Sequence, residues 1–263
     1  MSMPHMSLLS PAAGAPGDPR FPYSLSIFFP AYNDAQSLPS LLTDTFAIAE
    51  QFVADFEVIV VNDGSRDATP QVLAEWQARV GSRMRVVTHP VNRGYGGALR
   101  SGFAAATKDY VFYTDGDGQY DVSELRFLLE LAATGAPWAN GFKKRRSDPW
   151  HRTLLGAVYR EFVRALFRIH LKDIDCDFRL IRRELVQSLP LRSNSGTICV
   201  ELAWGLERLG LRAVEVGVTH KPRLHGESQF FRLAPLWKTL RELGRLVRLR
   251  LTGATRPPSG EPV

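Results

Sequence analysis

The chain has 263 residues, of which 44% are hydrophobic, and this suffices for one large domain with a buried core, alone or with a small appendage. Its two cysteines, Cys176 and Cys199, argue against a disulfide framework and favour a reducing cytoplasm, and no apolar run of about 18 residues offers a membrane span. The formal charge of +6 suits a phosphate-bearing partner or an anionic membrane surface, and is equally consistent with a basic surface that has no such partner.

The two ends of the chain differ from the middle in composition. Residues 1–20 are rich in proline, glycine, alanine and serine and lack the pattern of a signal peptide, so we expect a disordered leader. The composition of residues 253–263 predicts a disordered tail. Between them we expect one folded domain over residues 21–232 and a basic amphipathic helix over residues 233–252.

Strands and helices alternate through the first half of the chain. Short apolar or β-branched runs predict strands, and apolar residues at helical spacing follow each of them. The predicted strands are 25–29, 56–61, 85–88 and 110–114, and the predicted helices are 41–52, one that begins near Asp67, 94–107 and 122–133. This order predicts an α/β fold with a parallel sheet, right-handed crossovers and helices on both faces.

The second half of the chain is less regular. The predicted elements there are a strand at 138–142, helices at 154–169 and 197–209, and a strand at 212–219.

The helix predicted at residues 233–252 has an apolar and a basic side. Its apolar face comprises Leu236, Leu240, Leu243, Val247 and Leu251, with Trp237 beside it, and its basic residues are Lys238, Arg241, Arg245, Arg248 and Arg250. Such a helix could lie on an anionic membrane, or it could pack against the domain or a partner with its basic face in solvent.

Polar motifs follow all four predicted strands of the first half. They are PAYND at 30–34, NDGSRD at 62–67, NRGYGGA at 92–98 and TDGDGQYD at 114–121. Each motif alone is compatible with an ordinary turn. Because ligands of parallel α/β sheets bind beyond the carboxyl ends of the strands, four such motifs in succession predict a ligand site at that edge.

The second and third motifs have the chemistry of a nucleotide site. Asp63 could accept a hydrogen bond from a base N–H, and the glycines at 94, 96 and 97 allow a helix N-terminus to approach a ring or phosphates. Their spacing does not match the dinucleotide-binding fingerprint, and the acid expected about twenty residues on belongs to another motif, which argues against a Rossmann dehydrogenase.

The fourth motif has the chemistry of a metal site. Asp115 and Asp117 stand on a tight turn, and Gln119 adds a neutral oxygen two residues later. Adjacent carboxylates need a cation, and oxygen ligands suit Mg²⁺ or Mn²⁺, which would stabilise a diphosphate as a leaving group. The alternative is a solvated Asp-Gly turn.

The segments PAYND, VNDGSRD, NRGYGGAL and DGDGQYD, in this order and spacing, resemble those of family 2 glycosyltransferases. The resemblance covers residues 24–232 and is nearest to the dolichol- and polyprenyl-phosphate sugar transferases, which share the Asp-x-Asp-x-Gln arrangement. It implies the GT-A fold, with a Rossmann-like, mainly parallel sheet and helices on both faces. Three later segments fit the same subgroup, with Lys143, Asp177 and Gln229 where the subgroup has arginine, glycine and lysine.

The resemblance also implies roles for individual residues. The nucleotide-sugar site would comprise Pro30, Tyr32, Asp34, Asp63, Gly94, Ala98, Asp115 and Gly116, and the metal ligands would be Asp115, Asp117 and Gln119. Phosphates of donor and acceptor would be held by Lys143, Arg179, Arg223 and Ser228, and the catalytic set would be Asp115, Asp117, Arg179 and Arg223.

The activity that the resemblance implies is inverting transfer of a sugar from a nucleotide-diphosphate sugar, of the GDP-mannose or UDP-glucose type, to polyprenyl phosphate. The cofactor would be Mg²⁺ or Mn²⁺. The protein would lie peripherally on the cytoplasmic face of a membrane, bound through residues 233–252, and would have no nucleic-acid partner.

Two alternatives stay open. A hydroxyl acceptor needs a general base, which Asp175 or Asp177 could supply, although these carboxylates could instead pair with Arg179, Arg182 or Arg183. The second alternative is a membrane-associated binding or scaffolding protein of the same fold without catalytic activity, against which the intact Asp-x-Asp pair argues.

Overall fold

The computed structural model of the protein describes residues 20–144, 160–222 and 233–252, with the side chains of 233–236 left aside. The strands are β1 Leu25–Ala31, β2 Phe56–Asn62, β3 Met84–Thr88, β4 Tyr110–Thr114, β5 Trp138–Lys143, β6 Phe178–Arg182 and β7 Val214–Val218. The helices are α1 Leu38–Phe52, α2 Thr69–Val80, α3 Tyr95–Ala105, α4 Leu125–Ala133, α5 including 160–167, α6 Arg183–Ser188, α7 Thr197–Arg208 and α8 Leu233–Thr252.

The strands form one sheet in the order β3-β2-β1-β4-β6-β5-β7. The first four strands of the chain are mutually parallel, as the alternation of strands and helices predicts. β6 runs antiparallel to both of its neighbours, β4 and β5, and β7 is parallel to β5. The predicted α/β class with a mainly parallel sheet is therefore confirmed.

Helices cover both faces of the sheet, and β1 illustrates why. All seven of its residues are buried, and alternate side chains enter opposite layers because the side-chain period of a strand is two. Ile27 and Phe29 pack with residues of α1, α2 and α4, whereas Phe28 packs with residues of α3, α5, α6, α7 and α8. Burial on both faces explains why this strand reads as a continuous apolar run.

Several predicted boundaries were wrong. The helix predicted at 41–52 begins at Leu38, with a proline in its first turn, and the segment predicted as one helix at 122–133 is a 3-10 turn followed by α4. The helix predicted at 154–169 lies partly outside the described residues, and it ends before Arg168, whose φ of 55° is left-handed. β6 and α6 were not predicted at all.

Helix α8 packs on the second layer of the domain through a face that coincides only in part with the predicted one, since Leu243 and Val247 belong to both. Leu243 and Leu246 are buried in that layer, and Glu242 is buried beside them. Leu240 and Leu251, which were predicted on the same apolar face as Leu243, are 52% and 77% exposed. The packed face therefore includes an acid, and the spacing of the leucines alone did not identify all of the residues that pack on the domain.

The carboxylate of Glu242 joins α8 to the segment between α6 and α7. Its Oε1 accepts from the backbone N–H of Asn194 at 3.0 Å, and its Oε2 accepts from the backbone N–H and the hydroxyl of Ser195 at 3.0 and 2.6 Å. Burial would raise the pKa of Glu242, but these hydrogen bonds and the charge of Lys238 outweigh it, so the pKa lies below its usual value. The ionised carboxylate is thus the form that the fold stabilises.

Replacing Glu242 by glutamine should destabilise the protein, because the amide oxygen cannot satisfy all three donors. We expect a loss of about 1–3 kcal/mol in the free energy of unfolding at neutral pH. Since the pKa of Glu242 is lowered on folding, the stabilisation exists above the unfolded pKa near 4.5 and is lost as pH falls through the folded value. Urea unfolding at several pH values should therefore show the two proteins converging in acid.

The matched control for this variant is Glu130→Gln, which removes an exposed glutamate from α4. It should change the unfolding free energy by less than about 0.5 kcal/mol. A Glu242→Gln protein as stable as this control at neutral pH would contradict the role given to Glu242.

Candidate active site

The loops after β1 and β2 form a single unit. The backbone N–H of Asn33 donates to the hydroxyl of Ser65 at 3.0 Å, and the side-chain oxygen of Asn33 accepts from the N–H of Arg66 at 2.8 Å. Asp34 accepts from the N–H of Tyr32 at 2.8 Å and donates its own N–H to a threonine of α2. The predicted nucleotide-site residues of PAYND are thus held against the second motif.

Asp63, at the end of β2, is buried and organises the loop after β3. Its Oδ1 lies 2.6 Å from Nδ1 of His89 and accepts from the N–H of Arg93 at 2.8 Å, while its Oδ2 accepts from the N–H of Gly94 at 2.9 Å. Nε2 of His89 lies 2.8 Å from the hydroxyl of Ser101 in α3. His89 was missed in the sequence because it belongs to none of the four motifs, and the predicted contact of Asp63 with a base stays a prediction.

The glycines of the third motif permit a close approach between protein segments. Gly94 has a φ of 85°, which favours glycine, and a Cβ there would lie 2.5 Å from the carbonyl oxygen of Asn194. A Cβ on Gly96 would meet the carbonyl of Ser193 in the same way, and the N–H of Gly96 donates to the carbonyl of Asn194 at 3.1 Å. Residues 193–195 therefore form one wall beside the predicted nucleotide site.

Residues of α8 complete this wall, and nothing in the sequence pointed to them. Glu242 holds Asn194 and Ser195, and Arg245 donates to the hydroxyl of Ser193 at 3.0 Å. The ammonium of Lys238 would lie 3.1 Å from a Cβ at Gly94. A helix that reads as an appendage thus supports the loop of the third motif.

The loop with Asp115 and Asp117 follows β4 and lies against the end of β1. The hydroxyl of Ser37 donates to the carbonyl of Gly116 at 2.8 Å, and a Cβ on Gly116 would clash with the carbonyl of Pro30 at 2.6 Å. The N–H of Gln119 donates to Oδ1 of Asp117 at 3.1 Å.

Gln119 also fixes the far side of this loop. Its side-chain amide nitrogen donates to the carbonyl of Lys221 at 2.9 Å, and the N–H of Lys221 donates back to the carbonyl of Gln119 at 2.7 Å. The structure therefore brings the predicted metal ligands together with the predicted nucleotide-site residues at the ends of β1 and β4.

The negative charge around Asp115 is not balanced. Burial, and then the charges of Asp177 and Asp117, raise the pKa of Asp115 well above its usual value, although the nearby hydroxyl of Tyr95 and the charge of Lys143 oppose this. A divalent cation would relieve such a charge excess, so the residues present fit Mg²⁺ or Mn²⁺. The described ranges contain no group of three or more acidic, histidine or cysteine side chains for a metal, so further ligands would come from diphosphate and water.

The loop before β6 contributes two more carboxylates. Asp177 accepts from the hydroxyl of Tyr113 at 3.4 Å and from the thiol of Cys199 at 3.1 Å. Asp175 lies 3.9 Å from Nη1 of Arg160, and burial together with the charge of Asp173 raises the pKa of Asp175.

The sequence offers three arginines as ion-pair partners of these carboxylates. The expectation for Arg182 and Arg183 was wrong, because Arg182 donates to the hydroxyl of Tyr110 and Arg183 to the carbonyl of Lys108.

Arg179 is fully buried in β6. Its Nε donates to the carbonyl of Cys176 at 3.1 Å and its Nη2 to the carbonyl of Ile174 at 2.5 Å. Its Nη1 is buried with no hydrogen-bond partner among the described residues. Arg179 therefore braces the loop that carries Asp175 and Asp177, and its predicted contact with a phosphate stays a prediction.

The remaining phosphate-binding candidates fall into two groups. Lys143, at the end of β5, donates from Nζ to the carbonyl of Asp175 at 2.8 Å, and it lies 5.8 Å from the centre of the Tyr120 ring. Arg223 and Ser228 lie outside the described residues.

Of the predicted nucleotide-site residues, Ala98 is buried in the first turn of α3, four residues after Gly94.

Sequence comparison places the chain among known proteins. Residues 26–189 match the family model described as Glycosyl transferase family 2. The undecaprenyl-phosphate 4-deoxy-4-formamido-L-arabinose transferase of Aeromonas hydrophila is 31% identical over 208 residues, which are 78% of this chain and 62% of that protein. The protein of the same name from Pseudomonas fluorescens is 33% identical over 210 residues, 79% of this chain and 60% of that protein. The chain thus spans about three fifths of these relatives.

Solved structures share the fold. Glucosyl-3-phosphoglycerate synthase from Mycobacterium tuberculosis in complex with UDP has a TM-score of 0.64 and 23% identity, over 92% of this chain and 83% of that one. The same enzyme with Mn²⁺, UDP and phosphoglyceric acid has a TM-score of 0.61 and 24% identity, over 92% and 82%. The fold is the GT-A glycosyltransferase fold that the motifs implied. Because the family model matches more than half of the residues of this chain, the chain belongs to glycosyl transferase family 2.

Proposed function

We propose that this chain is an inverting glycosyltransferase that moves a sugar from a nucleotide-diphosphate sugar, of the GDP-mannose or UDP-glucose type, to polyprenyl phosphate. The observation that carries the proposal is the pair of half-buried carboxylates Asp115 and Asp117 at the end of β4, beside the first motif, where burial and neighbouring acids raise the pKa of Asp115. The names of the similar transferases support a lipid-phosphate acceptor, and the UDP complexes of proteins with this fold support a nucleotide donor.

The donor would lie across the strand ends. Its pocket would be lined by Pro30, Tyr32, Asp34, Asp63, Gly94, Ala98 and Gly116. Asp115, Asp117 and Gln119 would hold Mg²⁺ or Mn²⁺, and a structure with the same fold was solved in complex with Mn²⁺ and UDP. When bound, such an ion supplies charge stabilisation to a diphosphate leaving group. The chain's own contribution is to orient the donor and to keep the Asp115 carboxylate in a half-buried setting where electrostatic interactions are stronger than in bulk water.

The acceptor would approach from the side of Lys143. A lipid phosphate is already ionised at neutral pH, so it needs positive charge to hold it and no base to activate it. Lys143 would supply that charge, and Arg179 would act by fixing the loop at 174–177. We retain Arg223 and Ser228 as phosphate ligands, and Arg223 as part of the catalytic set, on the resemblance of their segment.

The hydroxyl-acceptor alternative has one observation in its favour. The raised pKa of Asp175 would make its carboxylate a better proton acceptor than an ordinary aspartate. Asp177 suits that role less well, because its Oδ1 already accepts from Tyr113 and Cys199.

We also propose that α8 attaches the protein peripherally to the cytoplasmic face of a membrane. Within the described residues, no helix combines the length and the apolar character that crossing a bilayer requires. The outward face of α8 exposes Trp237, Leu240 and Leu251 at helical spacing, with Arg241 and Arg248 among them. Apolar side chains interleaved with arginines on one exposed face suit an interface with anionic lipid.

The acceptor can be tested with a matched pair, polyprenyl phosphate and the corresponding polyprenol, offered with UDP- and GDP-sugars in Mg²⁺ or Mn²⁺. We expect transfer to the phosphate and none to the alcohol, because the site offers positive charge to an ionised acceptor. Asp175→Asn should keep transfer within about threefold of the unaltered protein, since no base is needed.

Transfer to an alcohol that Asp175→Asn abolishes would support the hydroxyl alternative instead. Binding of a nucleotide-sugar without turnover on any acceptor would favour the scaffolding alternative.

The membrane surface can be tested by sedimentation with vesicles of phosphatidylcholine and phosphatidylglycerol. Trp237→Ser with Leu240→Ser should lower the bound fraction several-fold, because two exposed apolar anchors are lost. The control is Val214→Ser on β7, which removes an exposed apolar side chain elsewhere and should leave binding unchanged. Equal binding by both variants would contradict the role of α8.

A further inference from the structure

A second cleft lies away from the strand ends, where α7 and α8 finish. It has a volume of about 420 Å³, and the residues of interest in its wall are Arg168, Arg208, Arg212, Arg250, Glu207 and Trp204. Because α7 has 12 residues and begins beside the 193–195 wall, the cleft lies about 18 Å from that wall along the helix. It is therefore separate from the candidate active site.

The charge of the cleft wall is strongly positive, with four arginines and one glutamate. The carboxylate of Glu207 accepts from the N–H of His170 at 2.7 Å, contacts Nδ1 of the same residue at 2.8 Å, and lies 3.7 Å from Arg212. The single acid is thus engaged within the wall and leaves an excess of positive charge around the opening.

The wall is also fixed in shape. The guanidinium of Arg208 lies 5.1 Å from the centre of the Trp204 ring, and Phe167 packs against that ring with centroids 5.2 Å apart. Nη1 of Arg250 is buried and has no hydrogen-bond partner in the part of the chain that the structure describes. Arg168 closes α5 in the left-handed conformation of a helix C-cap, and the N–H of Ile169 donates to the carbonyl of Arg164 at 3.0 Å, which fixes this part of the wall.

Helix dipoles explain only part of this cluster. Arg208 and Arg250 stand in the last turns of α7 and α8, where a positive side chain is favoured by the exposed carbonyls. Arg168 directly follows α5 and is favoured in the same way, whereas Arg212 lies four residues beyond α7 and outside any helix, yet all four arginines converge on the same cleft. Neither this convergence nor the unpartnered Nη1 of Arg250 follows from the dipoles.

We propose that this cleft binds a phosphate-bearing anion at a site distinct from the nucleotide-sugar site. Guanidinium groups bind phosphate oxygens through paired hydrogen bonds, and the volume is within the range of small-ligand sites. The phosphate comes either from a free molecule or from the headgroup of an anionic lipid, and both present the same oxygens to the arginines.

The free source is tested by calorimetric titration with inorganic pyrophosphate in EDTA, which denies the candidate metal site its cation. Arg168→Gln with Arg250→Gln should weaken binding at least about tenfold, because two charged hydrogen-bond donors are removed. The control, Arg79→Gln with Arg126→Gln, removes the same charge from exposed arginines of α2 and α4 and should stay within about twofold.

The lipid source is tested by sedimentation of the same proteins with phosphatidylcholine vesicles that contain or lack phosphatidylglycerol. A binding defect of the cleft variant restricted to phosphatidylglycerol vesicles identifies a headgroup, and a defect with pyrophosphate identifies a free phosphate. Thermal unfolding checks the fold, and Arg168→Gln alone, at an exposed position, replaces the double variant if that unfolds. Equal behaviour of cleft and control variants with both probes overturns the proposal.

Discussion

The buried carboxylate of Asp63 is the interaction on which the candidate site depends. A buried anion is costly unless it is hydrogen-bonded, and this one is satisfied by His89 and two backbone N–H groups of the loop after β3. That loop leads to Gly94, which packs against residues 193–195, and Glu242 of α8 holds that segment in turn. The shape of the nucleotide-sugar side of the site thus follows from two hydrogen-bonded carboxylates, Asp63 at one end of this chain of contacts and Glu242 at the other.

The acids around the site differ in how well they are compensated. The hydrogen bonds that Glu242 accepts lower its pKa, whereas burial and neighbouring acids raise the pKa of Asp115. The hydrogen bonds of Glu242 stabilise the fold. The acids around Asp115 leave an excess of negative charge, which a bound divalent cation would compensate. This contrast distinguishes an acid with a structural role from one that is suited to bind a cation.

Sequence reasoning succeeded where the signal was local. The first four strands and the motifs at their ends follow from short-range patterns and from the geometry of parallel sheets. It failed at β6, where two buried arginines, Arg179 and Arg182, break the apolar pattern, because only the folded chain supplies their partners. It also misassigned part of the packed face of α8, since Glu242 lies among the buried residues and Leu240 does not, whereas Leu243 was predicted correctly.

The central claim, that Asp115 and Asp117 hold a divalent cation against a nucleotide diphosphate, is tested most directly by calorimetry of UDP and GDP binding with and without Mn²⁺. Binding of one nucleotide should tighten at least about tenfold with Mn²⁺, and Asp117→Asn should remove that gain while Asp44→Asn, at an exposed position on α1, keeps it. Nucleotide affinity that is independent of Mn²⁺, or a gain that persists in Asp117→Asn, would contradict the claim.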